Sequence, residues 1–148
     1  MATHLFEVAI AVKDLDAAAT KYADILGVAG IPIKPEYFPS PGLKGVTFSL
    51  ENAVISLVAS DEPGTAVAGF LEARGEGVFL VGLEVPELER EMGELKGKGV
   101  SFVSETPIPY AAGKINFARP SSTHGVQLAF AQHTPDYWQG FIAGGGRQ

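Results

Sequence analysis

No cysteine occurs among the 148 residues, which excludes a disulfide framework, a thiolate nucleophile and thiolate metal ligands. Positive charge is also scarce: 11 Lys and Arg stand against 17 Asp and Glu, a formal net charge of −6. Phosphate-backbone binding rests on clustered cations, and no cluster is present, so nucleic acid is not an expected partner. No apolar run is long enough to cross a bilayer, and no charged segment leads into a short apolar one. The expectation is therefore a cytoplasmic protein without a membrane partner. Histidine is limited to His4, His124 in a Ser-Ser-Thr-His turn, and His133 in the tail after the last strand. No two of these have the spacing of a helix-borne or strand-borne metal site.

What is present is a repeat. Residues 6–28 read FEVAIAVKDLDAAATKYADILGV, and residues 79–100 read FLVGLEVPELEREMGELKGKGV. Each passes from a period-two segment through a polar break (Lys13-Asp14, Pro86-Glu87) into a helix-compatible run closed by Gly-Val. Further strands are expected at 44–50 and 53–60, then at 100–104, 113–119 and 125–131. The Pro- and Gly-rich stretches IPIKPEYFPSPG at 31–42 and TPIPYAAG at 106–113 separate several of them. A short helix near 65–74 joins the halves, and one strand of the first half is unplaced within 28–42. The predicted fold class is α+β: tandem βαβββ modules at about 4–60 and 77–132 in one domain over 1–132, with a tail at 133–148.

Strand parity assigns faces. Phe6, Val8, Ile10 and Val12 form a bulky side suited to packing under helices, leaving Leu5, Glu7, Ala9 and Ala11 opposite. In the repeat, Val81, Leu83 and Val85 oppose Leu80, Gly82 and Glu84. Near the end, Val126, Leu128 and Phe130 oppose Gln127, Ala129 and Ala131, and Ile115 with Phe117 oppose Lys114, Asn116 and Ala118. Small side chains with a few polar ones describe a cavity lining, so Glu7, Gln127, Lys114 and Asn116 are expected to converge in one space.

The βαβββ duplication, the opening VAIAVKDLDAA, the junction FLEARGEGV and the ending GKINFARPSSTHGVQLAF resemble the vicinal oxygen chelate superfamily of glyoxalase I, bleomycin-resistance and extradiol dioxygenase proteins. Within it the chain is most similar to the methylmalonyl-CoA epimerase branch, over roughly residues 4–132. The resemblance implies a curved sheet around a central cavity, a homodimer, and a small-molecule ligand such as a carbonyl compound or an acyl-CoA. It also implies a divalent metal, whose ligand slots in this branch fall here on Glu7, Ser56, Leu80 and Ala129. The carboxylate base of the branch falls on Phe48. One carboxylate and one hydroxyl do not make a ligand set for a hard divalent ion, so the expectation is a site with no metal and no cofactor.

Glu7 has two readings. It ends a strand in solvent, or pairs with Lys114 or Arg119, as common surface carboxylates do. Alternatively it sits poorly solvated in a cavity with Ala9, Leu80, Phe48 and Ala129, where burial raises its pKa and suits it to acid-base work. An enolate would then need an electrophilic helper, for which Lys114, Asn116 and Arg119 are the candidates by position. Tyr110 is a candidate ligand contact or a core residue. Tyr137, Trp138 and Phe141 pack or cover a cavity mouth or subunit seam. AGGGRQ at the C-terminus lacks the flanking strand and helix of a phosphate loop, and the ELEREMGELKGK run reads as a solvated outer helix. The expected function is an isomerase, epimerase or lyase working beside a carbonyl through Glu7. The alternative is a non-catalytic binder that sequesters a small molecule, as the bleomycin-resistance proteins do.

Overall fold

The computed structural model describes residues 1–137 of the chain, so Trp138, Phe141 and the AGGGRQ segment lie outside the described residues. Two modules follow one another. The first comprises β1 (His4–Ala11), α1 (Leu15–Leu26), β2 (Ile31–Pro32), β3 (Leu43–Ser49) and β4 (Val54–Ser60). After α2 (Ala66–Arg74), the second comprises β5 (Gly77–Glu84), α3 (Leu88–Lys96), β6 (Ile108–Tyr110), β7 (Gly113–Ala118) and β8 (Leu128–His133). All eight strands form one curled mixed sheet in the order β2-β3-β4-β1-β5-β8-β7-β6. Each module contributes four neighbouring strands, and the first strands of the two, β1 and β5, pair antiparallel at the centre. β1 and β5 pair in parallel with β4 and β8, the last strands of their own modules.

Local chemistry sets the helix ends. Asp14 accepts a hydrogen bond from the Ala17 N–H at 3.1 Å, and Gly27 closes α1 in the left-handed region at φ 71°. Thr65 caps α2 by accepting from Ala68 at 3.0 Å. α3 begins without a cap of its own, and the Gln132 side chain of β8 accepts the Leu88 N–H at 2.9 Å. This fixes α3 to the sheet it covers. Val12, Phe48, Leu57 and Ala59 pack under α1, while Val85, Phe102, Ala118 and Phe130 pack with Leu88 and Met92 of α3. The third apolar cluster lies on the inner side of the curled sheet and includes Phe6, Ala9, Leu80, Ile115 and Ala129.

The central pair carries two irregularities at equivalent positions of the repeat. Leu5 faces Leu83 and Glu7 faces Gly82, so Phe6 is an extra residue on β1. Ala9 faces Leu80 and Ile10 faces Val78, so Phe79 is the extra residue on β5. A bulge re-aims the residue it holds and increases local twist. Both phenylalanines accordingly line the interior together with the residues that follow them, Glu7 and Leu80. The simple alternation that placed Phe6 on the helix-covered side is thereby corrected.

Two strand expectations also change. Residues 100–104 make only the isolated bridge of Phe102 to Ala118, and the outer strand of the second module is Ile108–Tyr110, inside the Pro-rich stretch. Its Pro109 is tolerated because β6 is a sheet edge. The missing strand of the first module is Ile31–Pro32. Beyond these edges the Ala111 N–H donates to the Glu36 carbonyl at 3.1 Å, so the two ends of the curled sheet meet on one side. Among the described residues no helix is long and apolar enough to cross a membrane.

Candidate active site

The sheet encloses a cavity of about 320 Å³ whose walls are mainly apolar, with Phe6, Ala9, Phe38, Val58, Phe79, Leu80, Ile115 and Phe117 contributing. Its polar groups come from both modules. β1 supplies Glu7, which keeps some accessible surface because it faces the cavity while the surrounding protein desolvates its carboxyl. Burial therefore raises its pKa above the ordinary carboxylate value. A hydrogen bond from Ser56 and the nearby His133 pull in the opposite direction without reversing the shift.

The Ser56 hydroxyl on β4 donates to Glu7 Oε2 at 2.6 Å. Its single proton is thereby used, so the Thr47 hydroxyl of β3, 3.2 Å away, donates to Ser56 Oγ. Thr47, Ser56 and Glu7 form a chain across three neighbouring strands, and the two hydroxyl residues are fully buried.

The second module holds a matching chain. Tyr110 of β6 places its hydroxyl 3.2 Å from Nε2 of His133 on β8, and His133 Nδ1 bonds to Glu84 Oε1 on β5. The other Glu84 oxygen accepts the His133 backbone N–H at 3.1 Å. Phe6 meets the imidazole edge-on at 4.7 Å, and Tyr137 stacks on it at 4.8 Å. Burial is the main cause that pushes the Tyr110 hydroxyl well above the usual phenol range, and Tyr137, Glu7 and Glu84 push the same way.

Of the residues expected here, Glu7, Leu80, Tyr110 and Gln127 line the cavity. Ser56 stands behind Glu7, and Ala129 is buried in the inner apolar cluster. Four expectations are corrected. Phe48 is fully buried under α1, 6.4 Å from Tyr22, because its neighbour Thr47 takes the inner side of β3. On β7 the inner residues are Ile115 and Phe117, since the cavity wall is apolar rather than small and polar. Lys114 consequently points outward and bonds Glu89 of α3 at 2.8 Å. Asn116 is buried on that same outer side, donating to the Ser104 carbonyl at 2.9 Å and accepting from the Phe117 N–H at 2.9 Å. Arg119 is exposed past the strand end.

His133 belongs to the last strand rather than to a tail. The signal was the same parity that placed Gln127, Ala129 and Ala131 inside, carried one step further. Glu84 stood on the expected inner face without a role.

The chain matches the model of the glyoxalase/bleomycin resistance protein/dioxygenase superfamily over residues 6–118. It belongs to that superfamily. Within it the chain is 33% identical over 134 residues to bovine mitochondrial methylmalonyl-CoA epimerase, covering 86% of this chain and 73% of the relative. It is 32% identical over 136 residues to the ethylmalonyl-CoA/methylmalonyl-CoA epimerase of Cereibacter sphaeroides, covering 89% and 99% respectively. The crystal structure of methylmalonyl-CoA epimerase from Mycobacterium tuberculosis superposes with a TM-score of 0.79 at 30% identity, covering 93% of each chain.

The residues that the resemblance to the epimerase branch puts at metal-ligand slots do not fit a divalent ion. Glu7 is engaged by a hydroxyl donor, Leu80 and Ala129 are hydrocarbon, and Ser56 presents a neutral oxygen already hydrogen-bonded on two sides. Among the described residues no group of three His, Asp or Glu is arranged to hold one elsewhere.

Proposed function

We propose that the chain is an isomerase or epimerase that moves a proton on a carbon next to a carbonyl, with Glu7 as the acid-base residue and no resident metal. The observation that carries this reading is Glu7, the one carboxylate among the described residues that lines the cavity, with its pKa raised by burial. A base must be partly ionised near neutral pH and still basic enough to accept a proton from carbon, and desolvation brings a carboxylate toward that balance. Ser56 keeps the anion in one orientation at 2.6 Å, so the remaining oxygen lone pairs stay directed to the ligand. The apolar walls suit the hydrocarbon part of a small acyl group. The epimerase relatives favour an acyl-CoA thioester such as methylmalonyl-CoA or ethylmalonyl-CoA.

The test is deuterium uptake at C2 of methylmalonyl-CoA and ethylmalonyl-CoA in heavy water, wild type against Glu7→Gln. The variant is expected to lose about two or more orders of magnitude in exchange rate while still binding thioester. Exchange at the wild-type rate in Glu7→Gln overturns the assignment. Sequestration without catalysis makes the opposite forecast: no exchange in wild type, and binding that is unchanged or tighter in the variant. The same proposal includes a two-fold homodimer as the working form. Sedimentation returning only monomer at micromolar concentration removes that part.

A further inference from the structure

Taking a proton from a carbon beside a carbonyl leaves negative charge on the carbonyl oxygen, and a donor must face that oxygen. The cations the sequence offered for this are elsewhere: Lys114 bonds Glu89 on the outer side, and Arg119 is exposed. The second module places a different group at the cavity. Its chain of Glu84, His133 and Tyr110 runs from a buried carboxylate, through an imidazole held at both nitrogens, to a phenol at the cavity wall. Glu84 is fixed because both of its oxygens are bound by His133, one by the ring and one by the backbone. The ring is fixed because Phe6 and Tyr137 pack on it from two sides. Tyr110 and Glu7 line the same cavity and are close enough to influence each other electrostatically.

We propose that Tyr110 is the oxyanion donor of this site, with His133 and Glu84 as its positioning residues, and that it faces the ligand carbonyl whose oxygen becomes anionic. The inference rests on the proton-transfer reading given above. In the proposed arrangement His133 donates from Nδ1 to Glu84 and from Nε2 to the Tyr110 oxygen. The phenolic proton is then directed into the cavity, where it meets the ligand oxygen. No covalent bond of Tyr110 breaks. Glu7 accepts the proton from carbon, the electron pair moves onto the ligand oxygen, and both return when the carbon is reprotonated. Burial keeps the Tyr110 proton in place, so the residue donates a hydrogen bond without becoming a phenolate that would repel the enolate. Hydrogen bonds in such a chain polarise one another, and in an apolar enclosure they act with little screening.

The test uses 4-nitrophenol, whose phenolate presents an oxyanion and absorbs differently from the neutral form, and 4-nitroanisole, which has the same shape and cannot ionise. Wild type is expected to prefer the phenolate, so that bound 4-nitrophenol ionises at lower pH than it does free. Tyr110→Phe is expected to weaken phenolate binding by about 10- to 100-fold, the range for a hydrogen bond to a charged group, with 4-nitroanisole affinity unchanged. Glu84→Gln is expected to move ionisation of the bound probe part of the way back, a change that a purely structural role would not produce. Glu7→Gln is expected to keep the phenolate preference, so failure of the Glu7 assignment and failure of this one are distinguishable. Absence of a phenolate preference in wild type, its persistence in Tyr110→Phe, or equal loss of both probes overturns the proposal.

Discussion

The Ser56 hydroxyl donates to the Glu7 carboxylate across 2.6 Å, from a strand that runs parallel to and beside its own. That bond favours the ionised form, and it is the larger of the two influences holding down a pKa that burial raises. Ser56→Ala is therefore expected to raise the Glu7 pKa further. In a pH profile of deuterium exchange the acid limb moves to higher pH, while the rate on the high-pH plateau changes little. An unmoved limb would separate the hydroxyl from the function of the carboxylate.

Stability should carry the same signature. Because the folded state holds the Glu7 proton more tightly than the unfolded chain, the folded protein binds more protons between the ordinary value of 4.5 and the raised one. Stability contributed by this group is present below the unfolded pKa and is lost as pH rises through the folded one, by about 1.4 kcal/mol for each pH interval of one that separates the two values. Glu7→Gln removes that loss. The variant is expected to gain on wild type as pH is raised from about 4 to about 8, measured by denaturant unfolding at each pH. A constant difference would mean that Glu7 is not desolvated.

Gly82 faces Glu7 across the central strand pair, and a Cβ there would lie 2.8 Å from the Phe6 ring and 3.2 Å from Glu7 Cβ. Gly82→Ala is expected to cost about 1–3 kcal/mol through overpacking and to disturb the orientation of Glu7. Gly93, exposed on α3, meets nothing within 4 Å. Gly93→Ala is expected to stabilise by about 0.5–1 kcal/mol, the helix-propensity gain. Thermal melts of the two variants should shift in opposite directions.

The outward residues of β7 supply a negative control. Lys114→Met breaks a solvent-side ion pair with Glu89 and is expected to leave deuterium exchange unchanged. Asn116→Ala removes the bonds that tie Ser104 to the strand and is expected to lower stability by about 1–3 kcal/mol, with the rate per folded molecule unaltered. A large fall in exchange for Lys114→Met, without unfolding, would bring that side chain back into the site.

By itself the sequence determined what depends on local covalent geometry and on repetition. The duplication is visible because both copies keep the same strand, break and helix, and the sharing of one strand face by Glu7 with Ala9, by Leu80 with Gly82 and by Gln127 with Ala129 follows from period-two alternation. Alternation says that two faces differ; it does not say which one meets the cavity. On β7 that choice was made by packing, because an apolar interior drew in Ile115 and Phe117 and left Lys114 and Asn116 to α3. The bulges at Phe6 and Phe79 belong to the pairing of β1 with β5, which are far apart in the chain, and no local pattern announces them. For the same reason the Tyr110–His133–Glu84 chain arose only in three dimensions. Its members come from three strands, and each reads singly as an ordinary loop tyrosine, tail histidine and strand carboxylate until the closing of the sheet brings their polar atoms within hydrogen-bonding distance.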